Sequence, residues 1–389
     1  MAVDQKIFDL GVNRENTNCV KWDARQGVFG RADVLPVWVA DMDFASPQGV
    51  IDVMAQRVQH GAFGYCCDDP ADKQAVVDWM DKRHATKVAA EEVIFSPGVI
   101  DSMRVALAAL AQPGDKIAIN TPVYGPFYSS ITLNKMEVVG CRMIHEGADW
   151  RMNFEALEQA FRDGAKIMLL CNPHNPVGRV WTREELDTLA ALAKRYGVQL
   201  IADEIHADLE MPGYKNTCIL NADPDAIAFI SATKTFNLAA LRHSSVLIKN
   251  KELRDKFNEK MASTGINGIN LFGRIAQTAA YQTGAEWLDA LCEYLAGNRD
   301  LVERFLRSEL PQVSCARLQG TYLMWLDFRA LNMEPKQLMQ FMVEKAGIGF
   351  NNGTDFGAEG AGFMRFNIAT PRKNVVRAME QLKAAIDQL

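Results

Sequence analysis

Through the middle of the chain, apolar residues come in short unbroken runs. The stretches 166–171 (Lys-Ile-Met-Leu-Leu-Cys), 198–202 (Val-Gln-Leu-Ile-Ala) and 226–230 (Ala-Ile-Ala-Phe-Ile) are too short for helices and lack polar alternation. That pattern predicts strands of a parallel sheet covered on both faces. Between the first two, Thr182-Arg183-Glu184-Glu185 is a capping box that starts a helix, and Gly197 is placed to end it. The result is one strand, helix, strand crossover. Stretches 93–95, 116–119 and 244–248 read as further strands, and 103–110 as a helix stopped before Pro113. Past residue 287 helical spacing takes over, amphipathic over 287–306 and again over 336–345, with strands expected at 322–327 and 362–369. The first 48 residues read as an arm with short extended pieces.

Length adds a division. A chain of 389 residues exceeds the roughly 250–300 at which a single core splits, so a large unit over 49–287 and a smaller one from 1–48 with 288–389 are expected. A formal charge of -6 and no dense Lys/Arg run argue against a nucleic-acid surface. No stretch approaches 18 apolar residues, and Met1-Ala2-Val3-Asp4-Gln5-Lys6 lacks a signal-peptide core, so a cytoplasmic protein without membrane partners is expected. Eight cysteines, none in a Cys-X-X-Cys spacing, point to reduced thiols and to no zinc site. No internal repeat or low-complexity tract interrupts the pattern.

Chemistry enters at strand ends, where α/β sheets place reactive groups. Lys234 follows the run 226–230, with Ser231 and Thr233 on the same turn. An amine flanked by two small hydroxyls that can hold a phosphate suggests a Schiff-base lysine for pyridoxal 5'-phosphate. A solvated lysine on a polar turn gives the same local pattern. Two other strand ends change the balance, because Asn175 closes the run 166–171 and Asp203 closes the run 198–202. An aspartate beside a pyridine nitrogen keeps it protonated, an asparagine amide can donate to the ring phenolate, and the lysine holds the aldehyde and then carries a proton.

This combination resembles the fold-type I pyridoxal-phosphate enzymes, the aminotransferase class I and II family, over nearly the whole chain. The resemblance implies an α/β fold: a large domain with a mixed, mostly parallel seven-stranded sheet sandwiched by helices, plus a smaller α/β domain. Pro36-Val37-Trp38-Val39-Ala40-Asp41-Met42-Asp43-Phe44 looks like the signature of the cystathionine β-lyase branch, the MalY/PatB-type C-S lyases, where backbone near Ala40 approaches the substrate carboxylate. In the family, the amides of Val99 and Ile100 after Gly98 cradle the phosphate, as a helix start can. Tyr124, in Pro-Val-Tyr-Gly-Pro-Phe, lies on the ring. Tyr65 reaches across a homodimer interface to the partner's phosphate, although Cys66-Cys67 stand where a threonine is expected. Arg365 takes the substrate α-carboxylate as a two-pronged pair; Arg372 lies close by. His206 stands where aminotransferases carry a tyrosine and agrees with the lyase branch, in a supporting role beside Asp203. Arg242 sits eight residues after Lys234, the offset of a phosphate-binding arginine of many aminotransferases, and is otherwise an exposed base ahead of the strand 244–248.

The expected activity is α,β-elimination of an amino acid with sulfur on Cβ, L-cystathionine giving homocysteine, pyruvate and ammonia. The same residues serve an aminotransferase, in which Lys234 returns the proton to the cofactor instead. A third reading is a binding or regulatory protein that keeps the fold without turnover.

Overall fold

The computed structural model describes residues 5–67, 69–266 and 270–389. Residues 1–4, and with them the start of the stretch read for a leader, lie outside it.

Seven strands form the main sheet in the order Val93–Ser96, Ser244–Ile248, Ile227–Ile230, Gln199–Asp203, Ala165–Cys171, Lys116–Thr121, Glu137–Arg142. All neighbours run parallel except Ser244–Ile248, antiparallel to both strands beside it. The unbroken apolar runs are explained by what covers them. Along Ala165–Cys171, Ile167 and Leu169 pack on one side with Met103, Leu107 and Phe127, while Met168 and Leu170 pack on the other with Leu157, Leu186 and Leu189. A strand buried on both faces has no reason to alternate. The helix Arg183–Tyr196 begins at the expected box, with Thr182 and Glu185 capping reciprocally, and ends at Gly197 with φ +66°. Parallel pairing then brings the ends of Ala165–Cys171, Gln199–Asp203 and Ile227–Ile230 to one edge.

A second, four-stranded antiparallel sheet is built from Ser314–Cys315, Leu323–Asp327, Phe363–Asn367 and Asn351–Asn352. Helices Pro335–Glu344 and Arg372–Ile386 belong to the same part of the chain. The long helix Ala285–Glu309 runs across the expected division at 287/288. Among the described residues no helix is long and apolar enough to cross a membrane.

The arm differs from the extended pieces expected of it. It holds three short helices, Lys6–Leu10, Val20–Asp23 and Arg25–Phe29, before Leu35–Pro36 pairs with Ile348–Gly349. Apolar spacing does not reveal such short helices; ahead of Val20–Asp23, the Asp23 carboxylate orders the preceding turn by accepting the N–H groups of Asn16, Thr17 and Cys19 at 2.8, 2.9 and 3.0 Å.

Candidate active site

Lys234 lies on a one-turn helix, Ala232–Thr235, directly after its strand. Ser231 fixes the turn: its Oγ accepts the Thr233 N–H at 3.1 Å, donates to the His243 carbonyl at 2.7 Å and lies 2.7 Å from Thr233 Oγ1. The Lys234 amine donates to the Ala40 carbonyl at 2.7 Å, and the Tyr322 hydroxyl donates to the same oxygen at 3.0 Å. Burial pushes the amine down to about 8, with Arg365 acting in the same direction and Asp41 and Asp203 opposing it. A lysine at that value supplies free amine near neutral pH.

Asp203 ends its strand with Oδ1 accepting the Ile205 N–H at 3.1 Å. Burial raises its carboxyl to about 7, against the pull of that hydrogen bond and of Lys234. A buried acid with so little compensation suits a cationic ring nitrogen. His206 is also buried, with Nδ1 unpartnered among the described residues, and burial together with Lys234 and Arg365 holds it well below its usual value. It therefore stands as a neutral imidazole, edge-on to Tyr322 at 5.8 Å.

Arg365, on Phe363–Asn367, is 4% exposed. Its Nη1 donates to Asn175 Oδ1 at 3.2 Å, and its Nη2 donates to the Trp38 carbonyl at 2.8 Å and to Asn351 Oδ1 at 2.5 Å. Nε has no partner among the described residues, and burial pushes the group down to about 10. Tyr124 receives its backbone tie from Asn175, whose carbonyl accepts the Tyr124 N–H at 3.1 Å. Burial raises the Tyr124 phenol. The turn is roofed by 353–360: the Val123 N–H donates to the Phe356 carbonyl at 2.9 Å, and a Cβ at Gly125 would come within 2.8 Å of the Asp355 carbonyl. Only glycine permits that approach.

A cavity of about 210 Å³ joins most of these groups; Arg365 does not line it and meets it through Asn175, and Tyr322 meets it through Ala40. Ala40, Tyr124, Asn175, Asp203, His206 and Lys234 line it; Ser231, Thr233, Val99, Ile100 and Arg242 share its wall. Val99 and Ile100 open the helix Val99–Leu110, whose first N–H groups have no carbonyl of their own helix to meet. The acid, the amine, the hydroxyls and these amides fit pyridoxal phosphate: Asp203 would hold its ring nitrogen, Lys234 its aldehyde, and the helix start its phosphate. Arg242 is placed at the rim, its side chain 68% exposed and paired with Asp101 at 2.9 Å. Tyr65 is not brought to this cavity within one chain; it is fully exposed and lines a separate depression with Phe95, Ser96 and Pro97.

The segment from Val37 to Phe44 is stitched over the lysine by residues that the sequence did not single out. Asn237 Nδ2 donates to the carbonyls of Met42 and Phe44, and Asn367 Nδ2 to those of Val39 and Asp41. Lys21 Nζ meets Asp43 Oδ2 at 2.8 Å in full burial, while Arg14 grips both oxygens of Asp41 at 2.7 Å. Tyr322 and Asn351 also escaped the sequence reading. Each stands at a strand end, where spacing does not say which way a side chain reaches.

Comparison with known proteins agrees with this geometry. Residues 40–382 match the family model Aminotransferase class I and II. Cystathionine beta-lyase PatB of Bacillus subtilis is 37% identical, covering 97% of this chain and 99% of its own. Cystalysin from Treponema denticola, whose crystal structure contains a pyridoxal 5'-phosphate cofactor, superposes with a TM-score of 0.95 at 32% identity over all of both chains. The C-S lyase of Staphylococcus hominis, also solved with pyridoxal phosphate bound, gives a TM-score of 0.91 at 30% identity over 97% of each chain. With its lysine, aspartate and asparagine on three neighbouring strand ends and its sheet in the same arrangement, the chain belongs to the aminotransferase class I and II family.

Proposed function

We propose that the chain is a pyridoxal-phosphate-dependent C-S β-lyase that acts on L-cystathionine and related cysteine S-conjugates as a cytoplasmic homodimer. The observation that carries the lyase reading is the Ala40 carbonyl 2.7 Å from the Lys234 amine. It lays the 37–44 segment, the part of the chain that resembles the lyase branch, directly over the reacting lysine. The full-length likeness to PatB supports the same reading.

Bound pyridoxal phosphate supplies an aldehyde that takes the substrate amine and a ring that accepts the electron pair left at Cα. Arg365 receives the α-carboxylate by exchanging one of its present acceptors, with Asn351 as the movable one. Asp203 holds a proton at the ring nitrogen. Lys234, whose amine burial makes easier to deprotonate, removes the proton from Cα. The Cβ–S bond then breaks, and the Tyr124 hydroxyl stands on the same cavity wall to assist the departing thiolate. One water is consumed overall, and thiol, pyruvate and ammonia leave. Tyr65, exposed on its own chain, is free to complete the phosphate site of a second copy, and Arg242 is within reach of the phosphate from the rim.

The test is direct. Purified protein loaded with pyridoxal phosphate should release pyruvate from L-cystathionine, Lys234→Ala should abolish release, and the mass in solution should be that of two chains. An enzyme that aminates 2-oxo acids and releases no pyruvate would overturn the lyase reading.

A further inference from the structure

Behind the cavity, and outside the constellation described above, lies a carboxylate with no role so far. Asp208 follows Asp203 in the turn leaving the strand Gln199–Asp203 and is 5% exposed. Oδ2 accepts the Thr235 hydroxyl at 2.8 Å. Oδ1 accepts Trp79 Nε1–H at 2.9 Å and faces His84 Nε2 at 2.7 Å. Although burial works to raise it, His84, Thr235 and Trp79 together hold the carboxyl below the usual carboxylate range. Trp79 is itself clamped, stacked on Tyr281 at 5.0 Å and edge-on to Phe236 at 5.8 Å. Arg83 is close enough to feel its charge.

We propose that Asp208 is a positioning residue for Lys234, acting through the Thr235 hydroxyl. Three observations converge on this. The helix carrying Lys234 is only four residues long, Ala232–Thr235, too short to hold itself by its own ladder. Its position is therefore set by side chains at its two ends. Ser231 ties the front to the His243 carbonyl, and Thr235, wholly buried and next to the lysine, ties the back to Asp208. The choice of a carboxylate matters as well. A buried charge with three donors is costly where an apolar side chain would fill the space, so its presence indicates a demand for directed bonds. Lastly, Asp208 sits on the segment that carries Asp203, so the Thr235–Asp208 bond fixes the separation between the amine and the acid that hold opposite sides of one ring.

This inference rests on Lys234 being the cofactor lysine, and the experiment separates the two. Cofactor-free protein is mixed with pyridoxal phosphate, and capture at Lys234 is timed by borohydride reduction and peptide mass. In the loaded enzyme, kcat and KM are measured in parallel. Thr235→Val, which keeps the shape and removes the donor, is expected to slow capture and lower kcat by about 10-fold, with KM within about twofold. Thr235→Ser, which keeps the donor, is expected to restore both. Capture and kcat at the unsubstituted level in Thr235→Val, whatever its melting temperature, would overturn the proposal. So would a Thr235→Ser variant as slow as Thr235→Val, since the methyl group would then be what matters. If Thr235→Val does not fold, Thr235→Ala and Asp208→Asn are read by the same two measurements. No capture by the unsubstituted chain would instead remove the reading of Lys234 itself.

Discussion

Arg365 offers the sharpest quantitative test, because its surroundings define what a substitution removes. The guanidinium is buried, gives both Nη2 hydrogens to Trp38 and Asn351 and one Nη1 hydrogen to Asn175, and leaves Nε without a partner among the described residues. A two-pronged grip on a carboxylate needs adjacent donors, so the ligand must displace the Asn351 amide, the acceptor that can rotate. Arg365→Lys keeps the charge but offers a point donor, losing one charge-assisted bond of about 2 kcal/mol, or about 30-fold in kcat/KM. Arg365→Leu loses both bonds and the charge, about 4 kcal/mol or about 1000-fold. Pyruvate release from cystathionine reads these losses. Inhibition constants for L-norvaline, which has no sulfur on Cβ to expel, and for butylamine, the same skeleton without a carboxylate, assign their origin. Only the amino acid should weaken. If the amine weakens by the same factor, or if Arg365→Lys stays within about threefold of the starting enzyme, the arginine works by bracing Trp38 and Asn175 and not by binding substrate.

Two further outcomes follow from buried charge. Asp203 in the cofactor-free chain stands at about 7, above its ordinary value, so the folded state holds more protons than the unfolded one between about pH 4 and 7. Stability should fall as pH rises through that window, by at most about 4 kcal/mol, and Asp203→Asn should flatten the fall in urea midpoints at pH 4.5 and 7.5; an unchanged slope would refute the shift. Lys21→Met strips Asp43 of its buried cation and should cost about 3–5 kcal/mol, read by urea melting, with Asp43→Asn added to the same chain recovering part of it. A variant as stable as the parent would show that the other donors to Asp43, Trp22 Nε1–H at 2.9 Å and Arg14 Nη1 at 3.4 Å, already suffice.

The sheet was legible because parallel strands covered on both faces write themselves as unbroken apolar runs. Lys234, Asp203 and Asn175 were legible because the turn after such a run is where a polar residue stands out. Glu137–Arg142 was not expected as a strand: it is the edge of the sheet, and only Cys141 in it is buried. The arm's helices were missed because, at four or five residues each, they leave no apolar period to read. Tyr322, Asn237 and Asn367 act across distances of up to 328 positions along the chain. Nothing local in a sequence marks a side chain whose partner lies that far away. The 37–44 motif was recognised as a pattern, while its means of attachment, two asparagines, one buried ion pair and one half-buried ion pair, emerged only from the fold.

The closing strand Phe363–Asn367 carries both the guanidinium and the asparagine that pins residues 39 and 41 above the lysine. During synthesis Lys234 and Asp203, the proposed cofactor lysine and its acid, leave the ribosome more than a hundred residues before that strand exists. A nascent chain stalled in that interval has a reactive amine with no cover over it and no grip for a substrate. Competence thus arrives late and all at once, so a chain truncated ahead of residue 363 is expected to bind the cofactor loosely and to turn over nothing.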